Sequence, residues 1–279
     1  MIDPVVDAEW LRDHRDGVVL ADVRWYLDGR SGRDAYAKGH LPGAVFIDLD
    51  TALARHGSPA EGRHPLPDPG VFAAAMAAAG IGDDTPVIGY DDAGGVIAAR
   101  LVWLLRAIGH DAALLDGGLT AWTGDLTTDV PQPAPATFTA RDWPAGRIAT
   151  IDEAAAIATV DDAAGGRVVL DARDRSRFRG DAEPVDPRPG HIPGARNLPC
   201  RENLAADGRF RPVTELRDRF AEQGVSDAAD VISYCGSGVT ACHNLIAMEH
   251  AGLGAGRLFP GSWSQYAHTT RPAATGDQP

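Results

Sequence analysis

Short apolar runs recur along the chain, each stopped by Gly, Pro or Asp: Val18-Val19-Leu20, Val87-Ile88-Gly89-Tyr90, Val168-Val169-Leu170 and Val231-Ile232-Ser233-Tyr234. Runs this short and this apolar predict strands buried on both faces. Between them, residues 71–79, 96–108 and 214–223 read as helices. Strands alternating with helices predict an α/β fold with a parallel sheet flanked by helices. Residues 123–150 break the pattern, with Pro131, Pro133, Pro135 and Pro144 and little periodicity. Such a stretch reads as a linker. It predicts one domain over residues 1–124, a joint over 125–148 and a second domain over 149–279. The tail after His268 is expected to lie along the surface or to be poorly ordered.

The two halves repeat. VVLADVR (18–24) matches VVLDARD (168–174), and GHLPGAV (39–45) matches GHIPGAR (190–196). PVIGYDDAGG (86–95) matches DVISYCGSGV (230–239), and LLDGGLTAW (114–122) matches LFPGSWSQY (258–266). Asp91 and Gly117 are 26 residues apart, and so are Cys235 and Gly261. Four matches in one order point to a duplicated domain.

Composition narrows the chemistry. The 279 residues carry a formal charge of −13, which argues against general nucleic-acid binding. An anionic substrate would need cations placed locally against that field. No basic segment followed by an apolar run opens the chain, and no apolar stretch is long enough for a membrane helix. Cys200, Cys235 and Cys242 show neither disulfide nor zinc spacing. The expectation is a reducing compartment, the cytoplasm, where a free thiol can react.

The chemistry centres on Ser233-Tyr234-Cys235-Gly236-Ser237-Gly238-Val239-Thr240-Ala241. A strand ends at Tyr234, a loop with two glycines follows, and a helix is expected to start near Val239. Glycines let the backbone turn its N–H groups inward, and a helix N-terminus adds positive potential. A cysteine in such a cradle is stabilised as the thiolate, the nucleophilic form. The matching residue in the first half is Asp91, which cannot carry sulfur, so the first half keeps the scaffold without the nucleophile. Phosphatases with a similar cysteine loop need an Arg six residues after the Cys to clamp the oxyanion. Ala241 stands there, which excludes that reaction.

These features resemble the tandem rhodanese-type sulfurtransferases, over nearly the whole chain from about Val5 to Gly276. The resemblance rests on Asp91 at the nucleophile position of the first copy, both GH(L/I)PGA segments, DGGLTAW, PGSWSQY and the active loop. It implies two tandem rhodanese-like domains, the second catalytic, with no metal or organic cofactor. Cys235-Gly236-Ser237-Gly238-Val239-Thr240 is similar to the loop of members that use 3-mercaptopyruvate, so Gly236, Gly238, Val239 and Thr240 are implied in substrate binding. The resemblance further implies that Arg177 holds the substrate carboxylate. A second Arg is usual downstream, where this chain offers Arg188, with Arg179 a competitor. Ser237, His64 and Asp50 match a serine–histidine–aspartate relay. Such a relay would move a proton near neutral pH as sulfur leaves.

The expected reaction takes sulfur from a small anionic donor onto Cys235 as a persulfide. A thiol, cyanide or a dithiol protein then removes it, with neither nucleic acid nor membrane as a partner. Thiosulfate as the main donor is the nearest alternative. A non-catalytic sulfur carrier or interaction module is another. Asp171, at a strand end, is expected to order the active loop or to serve as a cap. Cys200 and Cys242 are expected to be inert, His40 and His191 structural, and Trp122 and Trp263 packing residues.

Overall fold

Each apolar run becomes a strand, because a run without a polar face can satisfy its backbone only inside a covered sheet. The computed structural model describes residues 1–159 and 167–278. The chain forms two compact units. The first comprises Met1–Arg55, Leu66–Trp143 and Leu204–Phe210, and the second His56–Pro65, Pro144–Asn203 and Arg211–Pro279.

In the first unit the strands are β1 (Val5–Val6), β2 (Val19–Asp22), β3 (Val45–Phe46), β4 (Val87–Tyr90) and β5 (Ala112–Leu115). They pair in the order β1-β5-β4-β2-β3, all parallel. The helices are α1 (Ala8–Asp13), α2 (Gly32–Lys38), α3 (Pro69–Ala78), α4 (Ala99–Ala107) and α5 (Gly118–Ala121). Asp7, Ser31 and Asp68 accept bonds from first-turn amides of α1, α2 and α3, and Pro69 opens α3 where no N–H is needed. Leu20, Ile88, Tyr90, Ala113 and Leu115, from alternate strand positions, form a core with Leu11 and Leu41, and Trp122 packs against it.

The second unit contains α6 (Ile151–Thr159), β6 (Val168–Asp171), α7 (Arg175–Arg179), β7 (Arg196–Asn197) and α8 (Val213–Glu222). It continues with β8 (Val231–Tyr234), α9 (Ala241–His250), β9 (Arg257–Leu258) and α10 (Ser262–Tyr266). The order is β7-β6-β8-β9, again parallel. One parallel bridge, Ile148 to Leu258, stands where the first unit has β1. Val169, Ile232, Tyr234, Phe259 and Trp263 share the core.

The duplication extends to buried polar groups. Arg24 clamps Asp22 and donates to the Gly39 carbonyl, and Arg173 does the same with Asp171 and Gly190. The amides of Leu41 and Ile192 donate to the hydroxyls of Tyr90 and Tyr234. His40 and His191 each use both ring nitrogens on backbone carbonyls and stack on Tyr36 and Phe178. Both histidines are therefore structural. Asp171 is buried and fully engaged rather than solvated.

Three details differ from the sequence expectation. The helix expected over 96–108 begins at Ala99, because the amides of Ile97 and Ala98 turn to the Asp91 carboxylate. The helix expected near Val239 begins at Ala241. The proline-rich stretch is tied down as far as Trp143. Ala136 donates to Ala77, Phe138 packs on Phe72, and Trp143 donates to Pro67. The C-terminal tail lies along the second unit, through an Ala274–His191 bridge and a bond from the Gly276 amide to Arg179.

Candidate active site

The site grows from the end of β8. Cys235 follows Tyr234 and is 2% exposed. The Cys235 amide donates to Ser262 Oγ at 3.1 Å, and the Gly238 amide donates to Cys235 Sγ at 3.1 Å. The Cys235 and Gly236 carbonyls accept from the amides of Trp263 and Ser264. The loop is thus held on both sides by the turn that opens α10. Gly238 has φ +77°, and a Cβ there would press on the Pro260 backbone, so this position requires glycine. Ser262 is the one described non-glycine residue with positive φ, at 51°. Its hydroxyl accepts from the Cys235 amide and donates to the Phe259 carbonyl, which gives that strained backbone a local use.

The segment 56–65 reaches this loop from far away in sequence. Ser264 Oγ accepts from the Arg63 amide, and Gln265 donates to the Ala60 carbonyl. A side chain at Gly62 would collide with the Gly261 carbonyl, so glycine allows the close approach. This anchoring delivers His64, whose Nδ1 shares a 2.7 Å hydrogen bond with Ser237 Oγ.

Arg63 and Arg177 both lie over Gly236. The position a Gly236 Cβ would occupy is 3.1 Å from Arg63 Nη2 and 3.3 Å from Arg177 Nη1. Buried carboxylates hold Arg177 Nε and Nη2 and Arg63 Nη1. Arg177 donates to Glu183 and Asp186, and Arg63 Nη1 pairs with Asp186. Burial works against the charged form of Glu183. The bond from Arg177 and the amides of Asp186 and Val185 outweigh it and hold the carboxyl below its ordinary value.

The other expected residues are placed as follows. Val239 is buried, while Thr240 is half-buried and bonded to the Cys200 thiol. Burial pushes that thiol up to about 12, so Cys200 stays protonated and inert. Cys242 is buried on α9, its thiol against the Gly238 carbonyl. Arg188 directs both Nη atoms at backbone carbonyls, those of Arg271 and Tyr266, and lies over the rings of Trp263 and Tyr266. Arg179 pairs with Asp277. Asp50 belongs to the first unit, where it accepts from Trp25 Nε1. Sequence reasoning missed Arg63. The available signal was a cation directly before His64 in an acidic chain. Among the described residues, no group of three or more His, Cys, Asp or Glu is arranged to hold a metal ion.

Comparison with known proteins agrees with this architecture. The family described as "Rhodanese-like domain" matches twice, at residues 7–125 and 154–269. A Pseudomonas aeruginosa protein named a probable 3-mercaptopyruvate sulfurtransferase is 42% identical over 271 residues, 93% of each chain. A Mycobacterium tuberculosis protein whose name assigns it thiosulfate sulfurtransferase activity is also 42% identical, over 94% of this chain and 92% of its own. The crystal structure of a 3-mercaptopyruvate-type enzyme from Escherichia coli superposes with a TM-score of 0.79 at 32% identity, covering 94% of this chain and 99% of its own. The fold and the doubled match define a protein with two rhodanese-like domains. The chain belongs to the rhodanese family and is a sulfurtransferase.

Proposed function

We propose that the chain transfers sulfur from 3-mercaptopyruvate to a nucleophilic acceptor through a persulfide on Cys235. The observation that carries this reading is the Ser237–His64 hydrogen bond, two residues beyond the nucleophile and beside Arg177. A thiol donor presents a proton on sulfur and leaves behind an enolate that needs one. The Cys235 thiolate attacks the donor sulfur, an S–S bond forms and the C–S bond breaks. The C–S electron pair becomes the enolate of pyruvate. The proton that began on the donor sulfur ends on the enolate carbon, and a hydroxyl bonded to an imidazole can carry it. Arg177 binds the donor carboxylate, while the amides of Gly238 and its loop neighbours stabilise the sulfur anion. Asp50 takes its part in the relay from the family resemblance.

In the second half-reaction a thiol, cyanide or a reduced dithiol protein attacks the outer sulfur and restores the thiolate. Two displacements on one nucleophile predict ping-pong kinetics. A reducing compartment such as the cytoplasm suits the three free cysteines. No described helix is long and apolar enough to cross a membrane. Thiosulfate is the second reading, favoured by the guanidinium pair over the loop, which suits a dianion as well.

The test is an intact mass after incubation with 3-mercaptopyruvate and no acceptor, beside Cys235→Ser. A gain of about 32 Da in the parent alone, with release of pyruvate, is expected for covalent catalysis. A gain with thiosulfate and not with mercaptopyruvate would transfer the proposal to the second reading. No gain with either would leave only a non-catalytic role.

A further inference from the structure

The Ser237–His64 pair joins side chains 173 positions apart in sequence, and a 2.7 Å bond between them requires the backbone of both to be held. One residue touches both. The Ser264 amide donates to the Gly236 carbonyl at 2.8 Å, one position before Ser237. Ser264 Oγ accepts from the Arg63 amide at 3.0 Å, one position before His64. We infer that Ser264 is a positioning residue for the relay, setting the distance between the Ser237 hydroxyl and the His64 imidazole. This rests on the reading that the pair carries a proton when Cys235 takes sulfur from 3-mercaptopyruvate.

The surroundings leave Ser264 little freedom. It is 1% exposed, so water is poorly placed to take over its bonds. Its hydroxyl donates to the Gly261 carbonyl at 3.0 Å, which commits the hydroxyl proton and leaves a lone pair for the Arg63 amide. Its own carbonyl accepts from His268 Nδ1 at 2.8 Å. The amide, hydroxyl and carbonyl of this one residue are thus each engaged. Two further contacts act on the same segment from farther off. Gln265 Nε2 donates at 2.7 Å to the carbonyl of Ala60, four residues before His64, and Gly62 permits the close approach to Gly261. By the constant offset Ser264 corresponds to Thr120, which is exposed, so the copy without the nucleophile has no buried hydroxyl at this place. Proton transfer needs heavy atoms within about 2.6–3.2 Å, and a misplacement of about 1 Å costs about a hundredfold in rate. A hydroxyl that fixes the backbone beside both partners therefore controls the rate through the pair.

The experiment is a double-mutant cycle on the intact chain: parent, Ser264→Ala, Ser237→Ala and the double variant. It reads kcat and KM for 3-mercaptopyruvate, with a denaturant melt of each protein. Ser264→Ala is expected to lower kcat about tenfold to a hundredfold, with KM changed by less than about threefold. In the Ser237→Ala background the same substitution should cost less than about twofold, because the pair it positions is already gone. Gln265→Ala, whose anchor lies farther from His64, should lower kcat by less than Ser264→Ala. The same cycle run with Gln265→Ala gives the reading if the melt shows that Ser264→Ala does not fold. An unchanged kcat in Ser264→Ala would overturn the assignment. So would an equal factor in both backgrounds, which is the behaviour of a residue that only braces the Cys235 loop. If Ser237→Ala itself keeps the parent's kcat, the relay reading falls first and takes this assignment with it, a result distinct from the other two.

Discussion

The loop after β4 and the loop after β8 are two copies of one device, and they differ in what fills the cradle. In the first copy the Asp91 carboxylate is fully buried and takes four amide bonds, from Ala93 and Gly95 on Oδ1 and from Ile97 and Ala98 on Oδ2. Burial pushes its carboxyl up, and the four amides oppose that shift. In the second copy Cys235 is one atom shorter, and its sulfur accepts from the Gly238 amide. From Cβ, a carboxylate oxygen and the outer sulfur of a persulfide are both two bonds away. The first copy therefore carries, as part of its own chain, an anion where the second would hold its sulfur cargo. By the constant offset, Ser237, Val239, Ala241 and Cys242 correspond in sequence to Asp91's donors, but the Cys242 amide is bonded to the Val239 carbonyl and the sulfur accepts from Gly238 instead. The same kind of loop is filled by a side chain in the first copy and, in the proposed reaction, would be entered by a sulfur in the second.

The surroundings diverge in the same sense. Tyr36 and Phe178 occupy equivalent places against His40 and His191, so the position of Arg177 is held in the first copy by Ala35. Gly118 and Ser262 share nearly the same φ, +53° and +51°. In the first copy a Cβ at Gly118 would run into the Asp91 carbonyl, whereas the second copy accepts the strain of a serine whose hydroxyl holds the Cys235 amide.

Three changes would break or sharpen this contrast. The largest effect is expected from Ser237→Ala, which should lower kcat with 3-mercaptopyruvate by about a hundredfold to a thousandfold, the usual worth of general acid–base help. With thiosulfate it should change little, because sulfite leaves as a stable anion that needs no proton. Stopped-flow persulfide formation with both donors checks this, and an equal loss with both would remove the relay from the mechanism.

Next is Asp91→Asn, which sets an NH2 group against amide donors in a buried site. It should lower unfolding free energy by about 2–4 kcal/mol, since each buried donor left unsatisfied costs about 1–3 kcal/mol. Sulfur uptake at Cys235 should persist. Denaturant melts read beside intact mass test both halves, and an unchanged midpoint would mean the carboxylate does not hold its loop.

The smallest effect is expected from Ser262→Gly. Relief of the positive φ and loss of the hydroxyl oppose each other, so stability should move by no more than about 1 kcal/mol. Persulfide formation should slow about tenfold, because the nucleophile's amide loses its acceptor. A variant as fast as the parent would reduce Ser262 to a turn residue.

Local chemistry made the active loop legible from the sequence. A strand, a cysteine and two glycines before a helix have few other uses, and a carboxylate at the same place in the repeat marks the copy without a nucleophile. The start of α4 was misplaced by three residues because the Asp91 carboxylate takes the amides of Ile97 and Ala98. The pairing of His64 with Ser237 was expected only through resemblance, and nothing in the sequence around either residue refers to the other.

The sequence by itself determined the two α/β repeats and the carboxylate that stands in one of them where the other has Cys235, the proposed reactive centre, because short-range patterns and internal repetition carry that information. Only the tertiary structure decided which arginines face the loop. Arg188 lay in the expected stretch, yet its Nη donors are used on the carbonyls of Arg271 and Tyr266. Arg63 arrives from far away because Ser264, Gln265 and a glycine at position 62 bring its segment against the turn at Gly261. A guanidinium is free to bind a substrate only if the folded chain has not already satisfied it, and that depends on hydrogen bonds between segments distant in sequence.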